Sequence, residues 1–434
     1  MHTDESTRQE HARDASRAQP AGLPAAVVEV ASGEETAAVL RWANERHIPV
    51  SVRGGGTGLS GGAVAYPDGI VISTTKLDRV VVDPENMTAT VGAGVITAAL
   101  DAAAARHGLM YAPDPVSAEW STIGGNIATN AGGPRCLAQG VTADAVASLE
   151  VVLADGRVIR TGSTTRKNST GYDLTSLFVG SEGTLGVVTE AIVRLRPRPT
   201  TEPVAFGAAF PDLPSAGRAV LAIMKECPTP DSLELMDANT LETVARHFPE
   251  ENIAVASAVL VGHYVGPHAA GSLASLLEVC RAHLGETTTG TEAQLLLRTR
   301  QRVNPALNAS GLTASCDVAV PLNCLSDMFA EIQDLSRAHN LQVNTFAHAG
   351  DGNLHPSVAV PHDDPRMLQV AEQLLDRITE AALALGGVIS GEHGIGSLKR
   401  HHLDAQFAPA TRSLQLQLKN CLDPNRILTP GRGV

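Results

Sequence analysis

Four separate segments in the first half of this chain place glycines and other small residues where a predicted strand or helix ends. The first, RGGGTGLSGG (53–62), follows the predicted strand IPVSV directly and holds six glycines in ten residues. The others are PDP (113–115), TIGGNIATNAGG (122–133) and GYDLTSLFVGSEGTLGVVTE (171–190). Glycine permits positive φ and lets backbone N–H groups approach a ligand closely, and such nests bind phosphate. One loop of this kind is as readily an ordinary tight turn. Four in one domain describe a long ligand gripped by backbone at several points. The first loop is neither G-x-G-x-x-G nor G-x-x-x-x-G-K-[ST], so it indicates neither a Rossmann site nor a P-loop.

The remaining pattern sets the frame for these loops. AAVVEV reads as a strand, and Ser32 with Glu35 forms a capping box for a helix through about His47. Strands follow at GIVIS, DRVVVD and TATVGAG, a helix at ITAALDAAAARHG, and a hairpin around Asp155-Gly156 in SLEVVLADGRVIRTG. RLRPRPT (194–200) marks a boundary. Beyond it, helical patterns (AGRAVLAIMKE, MLQVAEQLLDRITEAALALG) mix with strand-like runs (IAVASAVLVGHY, QVNTFAH), an α+β rather than a βαβ arrangement. A chain of 434 residues exceeds one core, and two domains with a seam near 197–202 is the simplest division. The first ~20 residues are expected to be a disordered polar lead.

Composition excludes more than it assigns. The net charge of −13, from 33 basic and 46 acidic residues without a Lys/Arg cluster, argues against nucleic acid. The six cysteines form no C-x-x-C pair, so neither a zinc ribbon nor a dithiol site is signalled, and scattered thiols suit a reducing cytoplasm. No apolar run reaches the roughly 18 residues of a membrane span, and the start lacks a secretory h-region. A cytoplasmic protein, at most peripheral to a membrane, is expected.

HAGDGNLH (348–355) holds two histidines about an Asp-Gly pair. A two-residue turn at Asp351-Gly352 would pair Gly350 with Asn353, Ala349 with Leu354 and His348 with His355. The imidazoles would then face each other as two donors to one cation, although a solvated or core hairpin is the plainer reading. In GGVISGEHGIGSLKR (386–400) a strand runs into a loop holding Glu392 and His393. In extended chain these would point opposite ways, one toward a metal and one toward a substrate. A loop that merely carries charge is the alternative.

The four segments of the first half (three rich in glycine, and PDP), in their order, resemble the FAD-binding domain of the vanillyl-alcohol oxidase/p-cresol methylhydroxylase flavoproteins from about Pro24 to Pro199. HAGDGNLHP, GEHGIG and the closing LDPNRILTPG (422–431) extend the resemblance to the FAD-linked D-2-hydroxyacid dehydrogenases, a family that includes D-lactate dehydrogenases and a flavoprotein component of glycolate oxidase. The implied fold is α+β: a two-part FAD-binding domain (21–199), then an α+β substrate/cap and metal-site domain (200–434) whose C-terminal segment returns to the flavin. The resemblance implies that Arg53, Gly54, Gly55, Gly56, Thr57, Gly58, Leu59, Ser60 and Gly61 cradle the FAD pyrophosphate. It implies that Pro113, Asp114, Pro115, Thr122, Gly124, Gly125, Asn126 and Ala128 line the rest of the cofactor. Gly180, Ser181, Glu182, Gly183, Gly186 and Val187 complete that lining. Thr57 stands where some relatives attach flavin through a histidine, so non-covalent FAD is expected.

The same resemblance implies His348, His355 and Glu392 as ligands of a divalent metal, zinc, iron or manganese, and His393 as the base beside the flavin. Arg300, in LLLRTRQRVNPAL, takes the substrate-carboxylate position, with Arg298 and Arg302 as neighbours one register away. In such a site a 2-hydroxy acid passes its Cα hydride to flavin N5 while the metal binds its hydroxyl. The 2-hydroxyglutarate enzymes carry a lysine where this chain has Ser315 and an asparagine where it has Ser357, so a small monocarboxylate such as D-lactate or glycolate is expected. The alternatives are a D-2-hydroxyglutarate dehydrogenase, an electron-transfer subunit of a glycolate oxidase complex, an alkyl-glycerone-phosphate synthase, or an NADPH-dependent sugar-nucleotide reductase. Expected partners are the 2-hydroxy acid and an electron acceptor (quinone, cytochrome or electron-transfer flavoprotein), in a homo-oligomer or a larger complex.

Overall fold

The computed structural model describes residues 1–361 and 364–433. The chain divides into two compact units. One consists of Met1–Gly133, Gly140–Arg198 and the segment from Glu392 onward, the other of Pro134–Gln139 and Pro199–Gly391.

In the first unit the apolar run AVVE forms the strand Ala26–Glu29, parallel to Ile70–Ser73, which is in turn parallel to Val50–Arg53. A parallel sheet needs cover, and the helix Gly33–Glu45 provides it by burying Ala37, Leu40 and Ala43 among Val50, Ile70 and Ile72. Ser32 caps its start as expected, Oγ accepting from Glu35 N at 3.2 Å, but the capping box is modified: Glu35 reaches back to Ala31 N at 2.8 Å, one residue before the cap, and not to Ser32 N. A second, antiparallel sheet runs in the order Val80–Asp83, Thr88–Gly92, Val187–Arg194, Val146–Val152, Val158–Gly162. Helices Thr97–Ala105 and Ile123–Thr129 pack Leu100, Ile123 and Ile127 against Val91, Leu149, Ala191 and Val193. These two sheets are the two parts of the domain.

Two expectations about this unit are corrected. The lead is ordered: Asp4 caps a helix Glu5–Glu10, His2 and Val27 exchange backbone hydrogen bonds of 2.7 and 2.9 Å, and Ala12 is buried with Val27, Ala65 and Val71. Its composition is too polar for a core of its own, but it borrows a strand and a small apolar patch from the sheet. The segment from Glu392, expected within the second domain, instead belongs to the first unit. There the helix Pro409–Leu422 turns Lys419 inward, and its Nζ donates to Asp423 Oδ2 (2.5 Å), Thr184 O (2.7 Å) and Leu428 O (2.9 Å). Burial pushes the Lys419 ammonium below its usual range while Asp423 opposes the shift.

The second unit is built on an antiparallel sheet in the order Glu286–Thr289, Val204–Phe210, Ala258–Tyr264, Ser232–Asp237, Asn344–His348, Asn353–Val360, Leu312–Ser315. Helices Leu213–Glu226, Ala269–Ala282, Leu325–His339 and Pro365–Ala384 cover one face, over Phe206, Leu233, Leu235, Leu260 and Leu354. Helices Ala238–His247 and Gly290–Ser310 cover the opposite face, packing Leu241, Val244, Val303 and Leu307 against Met236, Val259, Val261 and Phe346. Because side chains alternate along a strand, Leu233 and Leu235 enter the first core while Glu234 and Met236 fall on the second face.

The histidine hairpin forms in a different register from the one expected. His348 pairs with Asn353, Ala347 with Leu354 and Phe346 with His355. The connection is a four-residue loop, a 3₁₀ turn over Ala349–Asp351 closed by Gly352 at φ +70°. A Cβ on Gly352 would lie 2.3 Å from Val320 O, so only glycine fits there. The shift amounts to two residues and not one, so both histidines keep the same face.

Candidate active site

On the second face of the sheet the apolar patch gives way to polar side chains. His348 and His355 are 5% and 4% exposed, with ring centroids 5.2 Å apart and planes at 87°. They are diagonal rather than directly opposed neighbours. His348 Nδ1 lies 2.7 Å from Glu234 Oε1, and Glu234 Oε2 accepts from Arg300 Nε at 2.9 Å. The Arg300 guanidinium stacks on Phe346 at 4.7 Å from the ring centre. Burial works against the charge on Glu234, but His348 and Arg300 overcome it and hold the carboxyl below its usual range. His355 Nδ1 faces Asp317 Oδ1 at 3.9 Å, and Asp317 Oδ2 accepts from Ser390 Oγ at 2.9 Å.

Burial separates Arg300 from its neighbours. Its side chain is 13% exposed, whereas Arg298 and Arg302 are about half exposed and both face Glu251, at 3.8 and 3.5 Å. With Nε held by Glu234 and the plane held by Phe346, the Nη edge of Arg300 has no hydrogen-bonded partner among the described residues. That edge is the planar two-donor fork of a guanidinium, a shape suited to pairing with a carboxylate.

The donors suit a divalent cation. An imidazole that donates from Nδ1 carries its lone pair on Nε2, the nitrogen that would ligate, and metal-binding histidines usually have such a carboxylate behind them. Asn353, across the strand pair from His348, buries an Oδ1 without a hydrogen-bond partner among the described residues. Imidazole and carboxylate donors in a dry setting fit zinc, iron or manganese. A Cβ on Gly391 would lie 2.2 Å from Asn353 Nδ2, so the chain leaves the second unit beside this hairpin, and the next residue is Glu392.

In the first unit the glycine-rich segments converge. A Cβ on Gly55 would lie 2.1 Å from Trp120 O, two residues before the third segment, which requires glycine in the first loop at that approach. Thr122 caps the helix Ile123–Thr129 by accepting from Gly125 N at 3.3 Å. Gly180 N and Glu182 N donate to Ile127 O and Ala128 O at 2.9 and 2.7 Å, seating the fourth segment on that helix. Asp114 O lies beside Gly133. Asn126, Gly186 and Val187 have structural contacts: Asn126 Nδ2 donates to the buried Thr97 Oγ1 at 2.7 Å, Gly186 abuts Val151, and Val187 is core. The ordered lead reaches the first loop, with Ala15 N donating to Gly56 O at 2.9 Å, Ala63 N to Asp14 Oδ2 at 3.1 Å, and Arg53 Nη1 to Arg13 O.

The 392–398 segment is gripped by two of these loops. Ser60 Oγ lies 2.9 Å from both His393 O and Gly394 O, and Ser397 N donates to Ser60 O at 2.9 Å. Glu182, at φ +53°, accepts from Ile395 N at 2.9 Å and Gly396 N at 2.7 Å. Burial pushes the Glu182 carboxyl up, against the pull of those two amides. The chain bends here instead of running extended, so Glu392 and His393 do not diverge as expected: Oε1 and Nε2 are 3.6 Å apart. Sequence reasoning missed Glu234 and Asp317. The one available signal was an acid set among apolar residues in each of two short runs, Glu234 in SLELMD and Asp317 in CDVAV.

A two-sheet domain with glycine-rich loops, joined to a sheet bearing buried histidines and a carboxylate fork, defines an FAD-dependent oxidoreductase. The chain belongs to the FAD linked oxidases: the C-terminal domain model of that family matches residues 199–432, and an FAD binding domain model matches residues 24–162. It is 37% identical over 418 residues to the glycolate oxidase subunit GlcD of Bacillus subtilis, covering 94% of this chain and 89% of that protein. It is 39% identical over 411 residues to a D-lactate dehydrogenase of Archaeoglobus fulgidus, covering 94% and 91%. A solved structure of p-cresol methylhydroxylase with substrate bound superposes with a TM-score of 0.83 at 16% identity over 99% of this chain and 93% of that one, a likeness of fold. No helix among the described residues is long and apolar enough to cross a membrane.

Proposed function

We propose that this chain oxidises a small D-2-hydroxy acid, of the D-lactate or glycolate type, to the 2-oxo acid. The observation that carries the reading is the buried Arg300–Glu234–His348 series, which ties a carboxylate fork to a cation ligand. An α-hydroxy acid presents a carboxylate and a hydroxyl on adjacent carbons, and such a series suits both. Relatives named for glycolate and D-lactate support the substrate class.

The first-unit loops would hold FAD without a covalent link, since Thr57 offers no attachment for flavin, and bound FAD supplies the hydride acceptor. His348, His355 and Glu392 would hold a divalent cation, which supplies Lewis acidity toward the substrate hydroxyl. Arg300 orients the substrate through its carboxylate. His393 takes the hydroxyl proton, a task for which imidazole is suited near neutral pH. Ser60 and Glu182 fix the backbone that carries it.

Ser315 and Ser357, where the 2-hydroxyglutarate enzymes carry lysine and asparagine, are direct cross-strand partners. Both groups expected to hold a second carboxylate are thus missing from one place, which favours a monocarboxylate over a D-2-hydroxyglutarate substrate. Anaerobic mixing of the holoprotein with D- and L-hydroxy acids tests the reading. Bleaching of the flavin by D-lactate or glycolate that is lost on chelation is expected, and bleaching by NADPH but by no hydroxy acid refutes it.

A further inference from the structure

We propose that Glu234 is a positioning residue that sets the cation ligand His348 and the substrate fork Arg300 in one fixed relation by giving one carboxylate oxygen to each. The inference rests on the reading above and adds a residue to it. Glu234 is 3% exposed, and its Oε1 and Oε2 meet His348 Nδ1 and Arg300 Nε at 2.7 and 2.9 Å. Strand register dictates the first contact, because Glu234 and His348 are direct cross-strand partners. The second comes from the helix Gly290–Ser310 that packs on the same face. Both partners approach as donors. Arginine keeps its protons, so Glu234 must accept there, and a carboxylate that also accepts from Nδ1–H leaves the His348 lone pair on Nε2. Asp317 does not play the same part for His355: its distance of 3.9 Å exceeds a hydrogen bond, and its other oxygen takes Ser390.

Glu234→Gln separates the two functions. The amide has one acceptor and one donor, so it cannot accept from both neighbours. Its oxygen stays with the obligatory donor Arg300, and its NH₂ faces His348 Nδ1. The imidazole proton then moves to Nε2, the nitrogen that would ligate.

The test is titration of Co²⁺ into metal-free wild-type and Glu234→Gln holoprotein, read by visible d–d absorption and by competition with a chelator. Binding weaker by about 10–100-fold is expected, with FAD content unchanged and Glu234→Asp restoring part of the affinity. Unchanged Co²⁺ affinity in Glu234→Gln overturns the proposal whatever happens to KM. A wild-type protein that binds no Co²⁺ refutes the cation reading itself, and the inference with it. Should the variant not fold, histidine-selective ¹⁵N NMR of metal-free wild type, assigned with His348→Gln, reads the tautomer directly. Protonation at Nδ1 supports the proposal, and protonation at Nε2 alone overturns it.

Discussion

Arg300 stands between two other arginines on one helix, and depth and acidic partner distinguish it from them. Arg298 and Arg302 lie half in solvent beside Glu251, where an ion pair contributes little. Arg300 is held at Nε and over its ring plane, which leaves a pre-oriented fork. Arg300→Lys keeps the charge but loses the fork. Steady-state kinetics of that variant are expected to show KM raised roughly 10–100-fold, on the ~1.5–3 kcal/mol of a charged hydrogen bond, with flavin content unaltered. His393 is a separate case, since its backbone is fixed by Ser60 while the proposed proton transfer would fall to its ring. Stopped-flow reduction of His393→Ala is expected to slow by about 10²–10⁴-fold with FAD still bound. Reduction at the normal rate would remove His393 from the mechanism.

At the level of elements, the helix Ala238–His247 begins on a buried acid. Asp237 accepts from Thr240 N at 2.8 Å and Thr345 N at 3.0 Å, yet burial outweighs both and raises its carboxyl from 3.8 to about 6. Between those two values the native protein keeps a proton that the unfolded chain has released. The contribution is therefore fully present below the lower value and is lost as pH rises through the upper one. Urea unfolding of wild type against Asp237→Asn should show wild type losing about 1 kcal/mol relative to the variant between pH 5 and pH 7. No relative change would mean that the carboxyl is not so shifted.

Elements also show how far the sequence could be read. The helix cap at Ser32 and the glycine-rich loops were legible because caps and close backbone approaches are local matters of sterics and hydrogen bonding. The hairpin register was not, since its four-residue loop is imposed by the backbone of Val320 lying against Gly352. The histidines nevertheless kept a common face, because a slip of two preserves alternation. Glu234 escaped notice because its partner His348 lies 114 residues away and only sheet topology joins them. The bend at Glu392 and His393 depends on amides held by Glu182, again a contact between distant stretches of sequence.

For the whole molecule, the first unit is assembled from separated stretches, and its glycine-rich loops are buttressed by residues toward both chain ends. The lead binds the first glycine-rich loop through Asp14 and Ala15, and Lys419 binds the fourth through Thr184 O. Deleting residues 1–16 is expected to weaken FAD binding by roughly thirtyfold, on about 1 kcal/mol for each of the two hydrogen bonds through Asp14 and Ala15, as measured by titrating FAD into apoprotein. Equal affinity would show the lead to be mere cover.

The clasp that Ser60 and Glu182 place on the 392–398 segment has a consequence for how the protein is made. The ribosome delivers the glycine-rich loops early, but the stretch they hold emerges only after the whole second unit has been translated. The cofactor domain therefore waits, incomplete, through synthesis of the domain inserted into it. Flavin loading is expected late in the life of the nascent chain, and truncated products ending before Glu392 are expected to be flavin-poor however well their first strands fold.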